Sequence, residues 1–297
     1  MAAATSEFNC RTGVLTGTRV RSGSKRGLVG YGSGFSYPGD YIPTQQQSQS
    51  VVDDQQPWFW YNYLLFANGV TLRSGAKFIP YFGNDMRTIP GSLTPFNQAG
   101  IDQAVSEAGA GGYIFFGGEI DQGAGGGPAL QDLIDDWTTL ANDSGVVSNG
   151  IHLISPALGS TISSNDKLVQ FVNGVARKPD GIRVHAYDGN LGHSGPSVLS
   201  NMYSGRINPT KVNFPGQQLW VSEFGTNSAS TPPDSFFMEM QDWVQPAFEL
   251  DPDIRAYFQW YAGPNETRID AVYPYRYFYD QSAIPTAYAT HYKNNGG

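Results

Sequence analysis

The sequence predicts an α/β fold, a (β/α)8 TIM-type barrel that allows for one short or missing helix. Eight strand-like runs follow one another along the chain, and helix-like stretches separate most of them. Strands that alternate with helices form parallel sheets, and eight such units close into a barrel of about 250 residues. The chain has 297 residues and no linker-like segment that would divide it into two domains.

The strand assignments rest on runs of β-branched, aromatic and other apolar residues bounded by turn-forming residues. The eight predicted strands are residues 26–32, 58–64, 76–83, 112–119, 152–158, 181–187, 219–224 and 254–260. An N-terminal arm, residues 1–26, precedes a single barrel, residues 27–297. The arm carries five basic residues against one glutamate, which is typical of a solvated arm or of a strand that closes the barrel floor.

Four stretches between the strands have helical character: residues 97–108, 128–142, 163–175 and 233–250. In the second stretch, apolar residues recur on one face at helical spacing and aspartates fall on the opposite face. The first connection, 44–56, is rich in glutamine and has little apolar face, and the sixth, 195–215, contains many helix breakers. We therefore expect one of these two connections to lack a full helix.

Composition limits the partners of this protein. Its formal charge is −8 and its pI is near 4.9, whereas a nucleic-acid partner requires a basic surface. No stretch approaches the length of a membrane span, so no membrane partner is expected. Aromatic residues make up 13% of the chain and suit the flat faces of sugar rings, although they also fill cores. The sequence favours a neutral polysaccharide or oligosaccharide as partner, and a monomer without cofactor.

The single cysteine, Cys10, excludes an intramolecular disulfide, so the fold depends on its hydrophobic core. Residues 1–8 lack a basic segment followed by an apolar run, so the sequence as given contains no signal peptide. The compartment stays unknown from sequence, and a secreted or cell-wall location would follow if a leader had been removed.

Two glutamates end two of the predicted strands. Glu119 and Glu223 are separated by 223 − 119 = 104 residues, the length of three strand–helix repeats of about 35 residues. In such barrels the working residues gather at the carboxyl ends of the strands. Paired carboxylates there can cleave a glycosidic bond, because one protonates the departing oxygen while the other attacks the anomeric carbon or activates water. The sequence therefore predicts a glycosidase.

Other strand ends present polar and aromatic residues to the same mouth. The candidate substrate-binding residues are Tyr61, Asn62, Asn84, His185, Tyr187, Trp260 and Tyr261. Trp260 would form the floor of a sugar subsite, unless it lies in the core and Tyr261 faces the cleft. Asp85 and Asp188 are loop caps or ligands of sugar hydroxyls. No metal site is expected, because the spacing of His185, Asp188 and His193 matches no standard one.

These residues resemble the clan of (β/α)8 retaining glycoside hydrolases that carry an acid/base after strand four and a nucleophile after strand seven. The closest resemblance is to glycoside hydrolase family 128, a family of endo-β-1,3-glucanases, over about residues 27–265. The segments that carry it are Trp58 to Tyr63, Phe78-Ile79-Pro80, Ser155-Pro156-Ala157, His185 with Tyr187, and Leu219-Trp220-Val221-Ser222-Glu223-Phe224-Gly225.

The resemblance implies a retaining endo-glycosidase that hydrolyses a β-glucan, β-1,3-linked, with Glu223 as nucleophile and Glu119 as acid/base. Members of the clan usually place Asn before the acid/base, whereas Gly118 precedes Glu119 in this chain. That Asn contacts the sugar 2-hydroxyl, and Asn62 and Asn84 are candidates to replace it. The departure leaves a second hypothesis, a carbohydrate-binding barrel without hydrolytic activity.

A mechanism that retains the anomeric configuration sets two requirements for the glutamates, one for their separation and one for their environments. Their carboxyl groups should lie about 5–5.5 Å apart, because a gap of about 6.5–9.5 Å leaves room for a water and gives inversion. Their environments should also differ. Glu223 should stay ionised with donors such as Tyr187 or His185, whereas Glu119 should keep its proton through proximity to a second carboxylate. Asp121, close to Glu119, is an alternative acid/base.

Overall fold

The computed structural model describes residues 7–9, 14–16, 25–29, 45–83, 96–122, 127–163, 166–188, 190, 192–225, 234–259 and 287–295. The strands in these ranges are β1 Glu7–Asn9, β2 Val14–Thr16, β3 Arg26–Val29, β4 Phe59–Tyr61, β5 Lys77–Phe78, β6 Tyr81–Phe82, β7 Tyr113–Phe116, β8 His152–Ile154, β9 Ile182–Tyr187, β10 Leu219–Gly225 and β11 Ile254–Gln259. The first two form an antiparallel hairpin within the predicted arm, and every other pairing is parallel.

The helices in the described ranges are α1 Gln45–Gln55, α2 Gln98–Ala108, α3 Leu130–Ala141, α4 Ser144–Ser148, α5 Lys167–Gly174, α6 Gly195–Met202, α7 Asn208–Asn213, α8 Asp234–Leu250 and α9 Ala287–Asn295. A π-helical turn, Tyr203–Ile207, joins α6 to α7. No helix in this described part of the chain is long and apolar enough to cross a membrane.

The parallel strands follow one another around a barrel. Strands β5-β4-β3-β11-β10-β9 pair in that order, and β6-β7-β8 form a second set. A bridge between Ile154 and Gly181 joins β8 to β9. Strands β5 and β6 are two halves of one predicted strand, which is interrupted where Pro80 has no N–H to donate. The two sets together therefore form the predicted (β/α)8 barrel.

Both the first and the sixth connection contain helices, although one of the two was expected to lack a full helix. Glutamine is a good helix former, and α1 buries Val51 and Val52, so the first connection is helical despite its polar composition. In the sixth connection, Pro196 stands in the first turn of α6, where its missing N–H costs nothing. The expected position of the missing helix was wrong, because it is the second connection, residues 62–76, that contains only turns and bends.

Two apolar clusters fill the fold. The inner cluster collects residues from strands all around the barrel, among them Phe59, Tyr61, Phe115, Trp220 and Phe258. Its rings meet mostly edge to face, as between Phe59 and Trp220 at 5.3 Å, a favoured arrangement for aromatic pairs. The larger outer cluster lies between the strands and the surrounding helices. The inner aromatic rings fill the barrel below its carboxyl-terminal end and leave the functional side chains at the mouth.

Candidate active site

A β-bulge near the end of β10 turns Glu223 toward the barrel interior. Opposite β9, Val221 pairs with Val184 and Glu223 pairs with His185, so Ser222 is an extra residue. Strict alternation would have placed Glu223 on the same side as Leu219 and Val221, which pack in the outer cluster. With the bulge, Ser222 and Glu223 both face inward, a use of bulges that recurs beside active sites.

Two tyrosine hydroxyls hold the carboxylate of Glu223. Tyr63 donates to Oε1 at 2.7 Å, and Tyr187 donates to Oε2. Glu223 is buried, with a relative exposure of 7%. Because each oxygen has its own donor, the orientation of the carboxylate is fixed on both sides.

The turn after β4 brings Tyr63 to Glu223. Asn62 accepts a hydrogen bond from the Leu64 N–H at 3.2 Å and donates to the Phe66 carbonyl at 3.2 Å. Tyr63 itself has a φ of 57°, in the left-handed region. Asn62 is therefore a buried turn-forming residue, and its amide is committed to the loop instead of pointing into the cleft.

Glu119 comes to the mouth at the end of β7. A parallel bridge to Ala157 extends the pairing of β7 with β8 up to this residue. The side chain is 35% exposed, and Oε1 lies 2.8 Å from His185 Nδ1. Burial raises the pKa of the Glu119 carboxyl, but the hydrogen bond and charge of His185 outweigh it, so the pKa lies below its usual value. This differs from the expected proton-holding environment, because His185 and not a second carboxylate is the dominant neighbour.

His185 lies between the two glutamates. Its Nδ1 is 2.8 Å from Glu119 Oε1 and 3.6 Å from Glu223 Oε2, and its side chain is only 3% exposed. One ligand atom from each of the three residues can be chosen so that all lie within 4.8 Å of one another. An oxygen of Glu119 and an oxygen of Glu223 thus lie closer together than the separation of about 6.5–9.5 Å that characterises inverting pairs. The same three donor atoms could hold a metal ion.

Below His185 on the same strand, Arg183 is almost fully buried in the barrel. Its Nε donates to the Ser222 hydroxyl at 3.2 Å and its Nη1 to the Gly117 carbonyl. Its guanidinium lies 4.6 Å from the centre of the Phe115 ring. Arg183 therefore ties the ends of β7 and β10, the two strands that carry the glutamates, to β9.

Asp121 and Asp188 stabilise loops around this site. Asp121 accepts hydrogen bonds from the N–H groups of Gly159 and Ser160 at 2.7 and 2.9 Å, and also from the Ser160 hydroxyl. Burial raises the pKa of Asp121, but these hydrogen bonds outweigh it and lower the pKa below its usual value. Asp188 pairs with His193 at 2.8 Å. The oxygens of Asp121 are committed to the loop after β8, which does not fit the alternative acid/base role.

The structure brings together four of the predicted site residues, Glu119, His185, Tyr187 and Glu223. Asn84, Asp85, Trp260 and Tyr261 lie outside the described residues. Tyr61 is fully buried and its hydroxyl donates to the Ser222 carbonyl at 2.7 Å. Its predicted contact with substrate does not fit this position beneath the site.

The sequence analysis assigned no role to three residues of the site. Tyr63 falls two residues after Tyr61 on the predicted strand, and Arg183 falls two residues before His185 on β9. The alternation of strands was thus a signal for both. Arg206 is the third. It stands in the π-helical turn, where burial lowers its pKa while the charges of Asp121 and Glu119 raise it. Irregular helical turns of this kind are frequent at functional sites, but they leave no sequence pattern.

Comparison with solved structures gives the same fold over nearly the whole chain. A family 128 (subgroup I) endo-β-1,3-glucanase from Amycolatopsis mediterranei, a variant in complex with laminarihexaose, is 15% identical, with a TM-score of 0.67 over 91% of this chain and 99% of that one. A subgroup II endo-β-1,3-glucanase from Sorangium cellulosum is 17% identical, with a TM-score of 0.66 over 91% and 98%. The predicted resemblance to this group is confirmed.

A third solved structure differs in its described activity. It is a family 128 (subgroup VII) oligosaccharide-binding protein from Cryptococcus neoformans, 15% identical, with a TM-score of 0.62 over 99% of this chain and 98% of that one. Comparison of the sequence with curated proteins finds no match. The family model described as the glycosyl hydrolase catalytic core matches residues 34–292. Since this match spans most of the 297 residues, the chain belongs to the glycosyl hydrolase catalytic core family.

Proposed function

We propose that this protein is a retaining endo-glycosidase that hydrolyses β-1,3-glucan, with Glu223 as nucleophile and Glu119 as acid/base. The observation that carries the proposal is the pairing of two closely spaced glutamates in different surroundings. Glu223 is buried and held by Tyr63 and Tyr187, whereas Glu119 is one-third exposed beside His185. A fixed carboxylate suits attack, and an accessible one suits proton exchange with a leaving group and with water.

In the first step Glu223 attacks the anomeric carbon and the glycosidic C–O bond breaks, while Glu119 gives its proton to the departing oxygen. In the second step Glu119 takes a proton from water, which displaces Glu223 from the sugar and retains the configuration. The two hydroxyls on Glu223 keep it oriented in both steps. Because the hydrogen bond and charge of His185 lower the pKa of Glu119 in the free protein, Glu119 must take up a proton from solvent before the first step, as the bound sugar displaces its contact with His185.

The substrate class is supported by the solved structures of similar fold, several of which are endo-β-1,3-glucanases in complex with laminari-oligosaccharides. Sequence identities of 15–16% to these proteins make the linkage a proposal to be tested by activity. The β-1,3 linkage is shared by the endo-glucanases and by a Cryptococcus neoformans exo-β-1,3-glucanase of the same fold, whereas the endo mode is not.

Incubation with laminarin, a mixed-linkage β-glucan and a cellulose-type glucan tests the proposal. We expect oligosaccharides from laminarin, with the β anomer appearing first in a proton NMR time course. Glu223→Gln should abolish this release, whereas Asp102→Asn, at an exposed carboxylate of α2, should leave it unchanged. Equal release by the Glu223→Gln variant would remove Glu223 from its role, and initial release of the α anomer would make the enzyme inverting.

A carbohydrate-binding barrel is the second candidate function. Two observations favour it: Gly118 in place of the expected Asn, and the fold shared with the oligosaccharide-binding protein of Cryptococcus neoformans. It requires tight binding of laminari-oligosaccharides with no turnover over long incubation. Any release of reducing ends that depends on Glu223 rules it out.

A further inference from the structure

The donor atoms at the mouth have the spacing of ligands around a metal ion. Two ligands bound at about 2.1 Å to a tetrahedral Zn²⁺ stand roughly 3.4 Å apart. The separations of 2.8 and 3.6 Å between His185 Nδ1 and the oxygens of Glu119 and Glu223 bracket this value. One imidazole and two carboxylates also carry the charge that a divalent ion would balance.

We propose that Glu119, His185 and Glu223 form an inhibitory site for a divalent transition-metal ion such as Zn²⁺. The ion lies between the two carboxylates and takes His185 Nδ1 as its third protein ligand. The donor set selects the class of ion, because imidazole suits Zn²⁺, Co²⁺, Ni²⁺ and Cu²⁺. Mg²⁺ and Ca²⁺ prefer oxygen ligands alone. Glu119 is one-third exposed, so the ion can enter from solvent and keep a water in its fourth position.

Part of this site is already in place and part must adjust. Tyr63 and Tyr187 orient Glu223 through its two oxygens, and such hydrogen bonds around a ligand raise metal affinity. The oxygens of Glu119 and Glu223 lie within 4.8 Å of each other, whereas two oxygens on one Zn²⁺ stand at most about 4.2 Å apart. The exposed Glu119 side chain can move by this difference.

Two features keep the affinity below that of a structural zinc site. A ligating histidine usually donates its second N–H to a carboxylate or carbonyl. His185 Nε2 is buried and has no hydrogen-bond partner among the described residues. The positive charge of Arg183 beneath the site also opposes a cation. Binding is therefore reversible, and a chelator such as EDTA should remove the ion.

The ion would occupy the space in which the scissile bond must lie between the two carboxylates. Zn²⁺ should therefore compete with laminari-oligosaccharides and inhibit hydrolysis. The inhibition rests on the proposed function, whereas the metal site itself does not. A non-hydrolytic carbohydrate-binding barrel with the same side chains would bind the ion equally well.

Isothermal titration of the full chain with ZnCl₂, without an added histidine tag, tests the site. We expect one equivalent of Zn²⁺ to bind reversibly, and CoCl₂ should give the visible absorption of a tetrahedral Co²⁺ centre. His185→Gln should weaken Zn²⁺ binding at least about 10-fold. The matched control is His291→Gln, because His291 also pairs with a carboxylate, Asp242 at 3.0 Å, but lies on α9 away from the mouth. CaCl₂ should produce no binding.

If the His185→Gln variant does not fold, a second variant, Glu119→Gln, tests the site in its place. It should also weaken Zn²⁺ binding. The proposal is overturned if wild-type protein gives neither heat with Zn²⁺ nor Co²⁺ absorption, or if both variants bind as wild type does. Zn²⁺-insensitive hydrolysis would also overturn it while leaving the proposed function intact. Zn²⁺ binding that depends on His185, in a protein without detectable hydrolysis, would support the metal site and contradict the proposed function.

Discussion

Tyr63 shows how much a single residue contributes to this site. Its left-handed φ of 57° is rare for a bulky side chain and costs on the order of 1–2 kcal/mol. Asn62 holds this turn, because its side chain accepts from the Leu64 N–H and donates to the Phe66 carbonyl. The strain is used to aim the tyrosine hydroxyl at Glu223, 160 residues away in sequence.

His185 is the residue that sets the protonation of Glu119, and its removal should change the pH profile. His185→Ala takes away the hydrogen bond and charge that lower the pKa of Glu119, while burial and Asp121, which raise the pKa, remain. A higher pKa keeps the acid protonated to higher pH. The alkaline limb of kcat/KM on a laminari-oligosaccharide reports this acid in the free enzyme, so it should move to higher pH.

The matched control for the pH profile is His193→Ala. His193 pairs with Asp188 on the loop after β9, so its loss removes a histidine near the mouth without touching either glutamate. This profile should keep the wild-type alkaline limb. A His185→Ala limb that stays in place, or moves to lower pH, would contradict the assignment of Glu119 as the acid.

At the scale of elements, the mouth depends on loops that neighbouring strands fix for one another. Asp121, after β7, accepts two backbone N–H groups of the loop after β8. Lys167, at the start of α5, donates to the Ile120 and Pro128 carbonyls. The segment that follows Glu119 is thus anchored from both sides, so the exposed acid/base candidate stands on a fixed backbone.

Asp121→Asn should loosen this anchor and lower the free energy of unfolding by about 1–2 kcal/mol at neutral pH. The melting temperature of the variant should fall by a few degrees, whereas Asp135→Asn, on the exposed face of α3, should match wild type. Because the folded pKa of Asp121 is lowered, its contribution is complete above the usual aspartate value of about 3.9 and is lost as pH falls through the folded pKa.

Thermal unfolding measured at neutral pH and at a pH below about 3 tests whether the ionised form of Asp121 stabilises the fold. The difference between wild type and Asp121→Asn should shrink on acidification. A difference that grows as pH falls would mean that Asp121 contributes through something other than its ionised form.

The sequence predicted the barrel because apolar runs at regular spacing dominate it. It located Glu119, Glu223, His185 and Tyr187 because parallel strands end at one mouth. It could not foresee the bulge at Ser222, because that register depends on pairing with β9. It also named Tyr61, which lies beneath the site, and gave no role to Tyr63, which contacts Glu223, because the backbone leaves the strand at Asn62, where the predicted strand continued.

For the whole molecule, a buried ion-pair network lies at the end of the barrel opposite the candidate chemistry. Asp251, whose side chain has no exposure, precedes β11 and binds Lys211 Nζ at 2.7 Å. It also accepts a hydrogen bond from Tyr203 at 3.0 Å. Lys25, just before β3, donates to the Asp251 carbonyl at 2.7 Å. This network joins α7, β11 and β3 where the strands begin, far from the glutamates where they end.

Lys211→Met should lower the free energy of unfolding by about 3 kcal/mol, because it leaves a buried carboxylate without its cation. Lys293→Met is the matched control. Its partner Asp54 belongs to an exposed pair, so the loss should be below about 1 kcal/mol. Urea unfolding followed by tryptophan fluorescence measures both. Equal losses would mean that the burial of Asp251 does not determine how much its ion pair contributes to the free energy of unfolding. Glucan hydrolysis by either variant at low temperature should be unchanged.

The bulge in β10 has a consequence for anyone who would transplant this active site. A designer who copied residues 219–225 into another barrel would import the right side chains in an order that does not by itself face them inward. Without a neighbouring strand that matches Val184 and His185 across the extra Ser222, the recipient strand would pair continuously. Glu223 would then lie under the helices. The portable unit is the two-strand register, and a graft should carry β9 and β10 together.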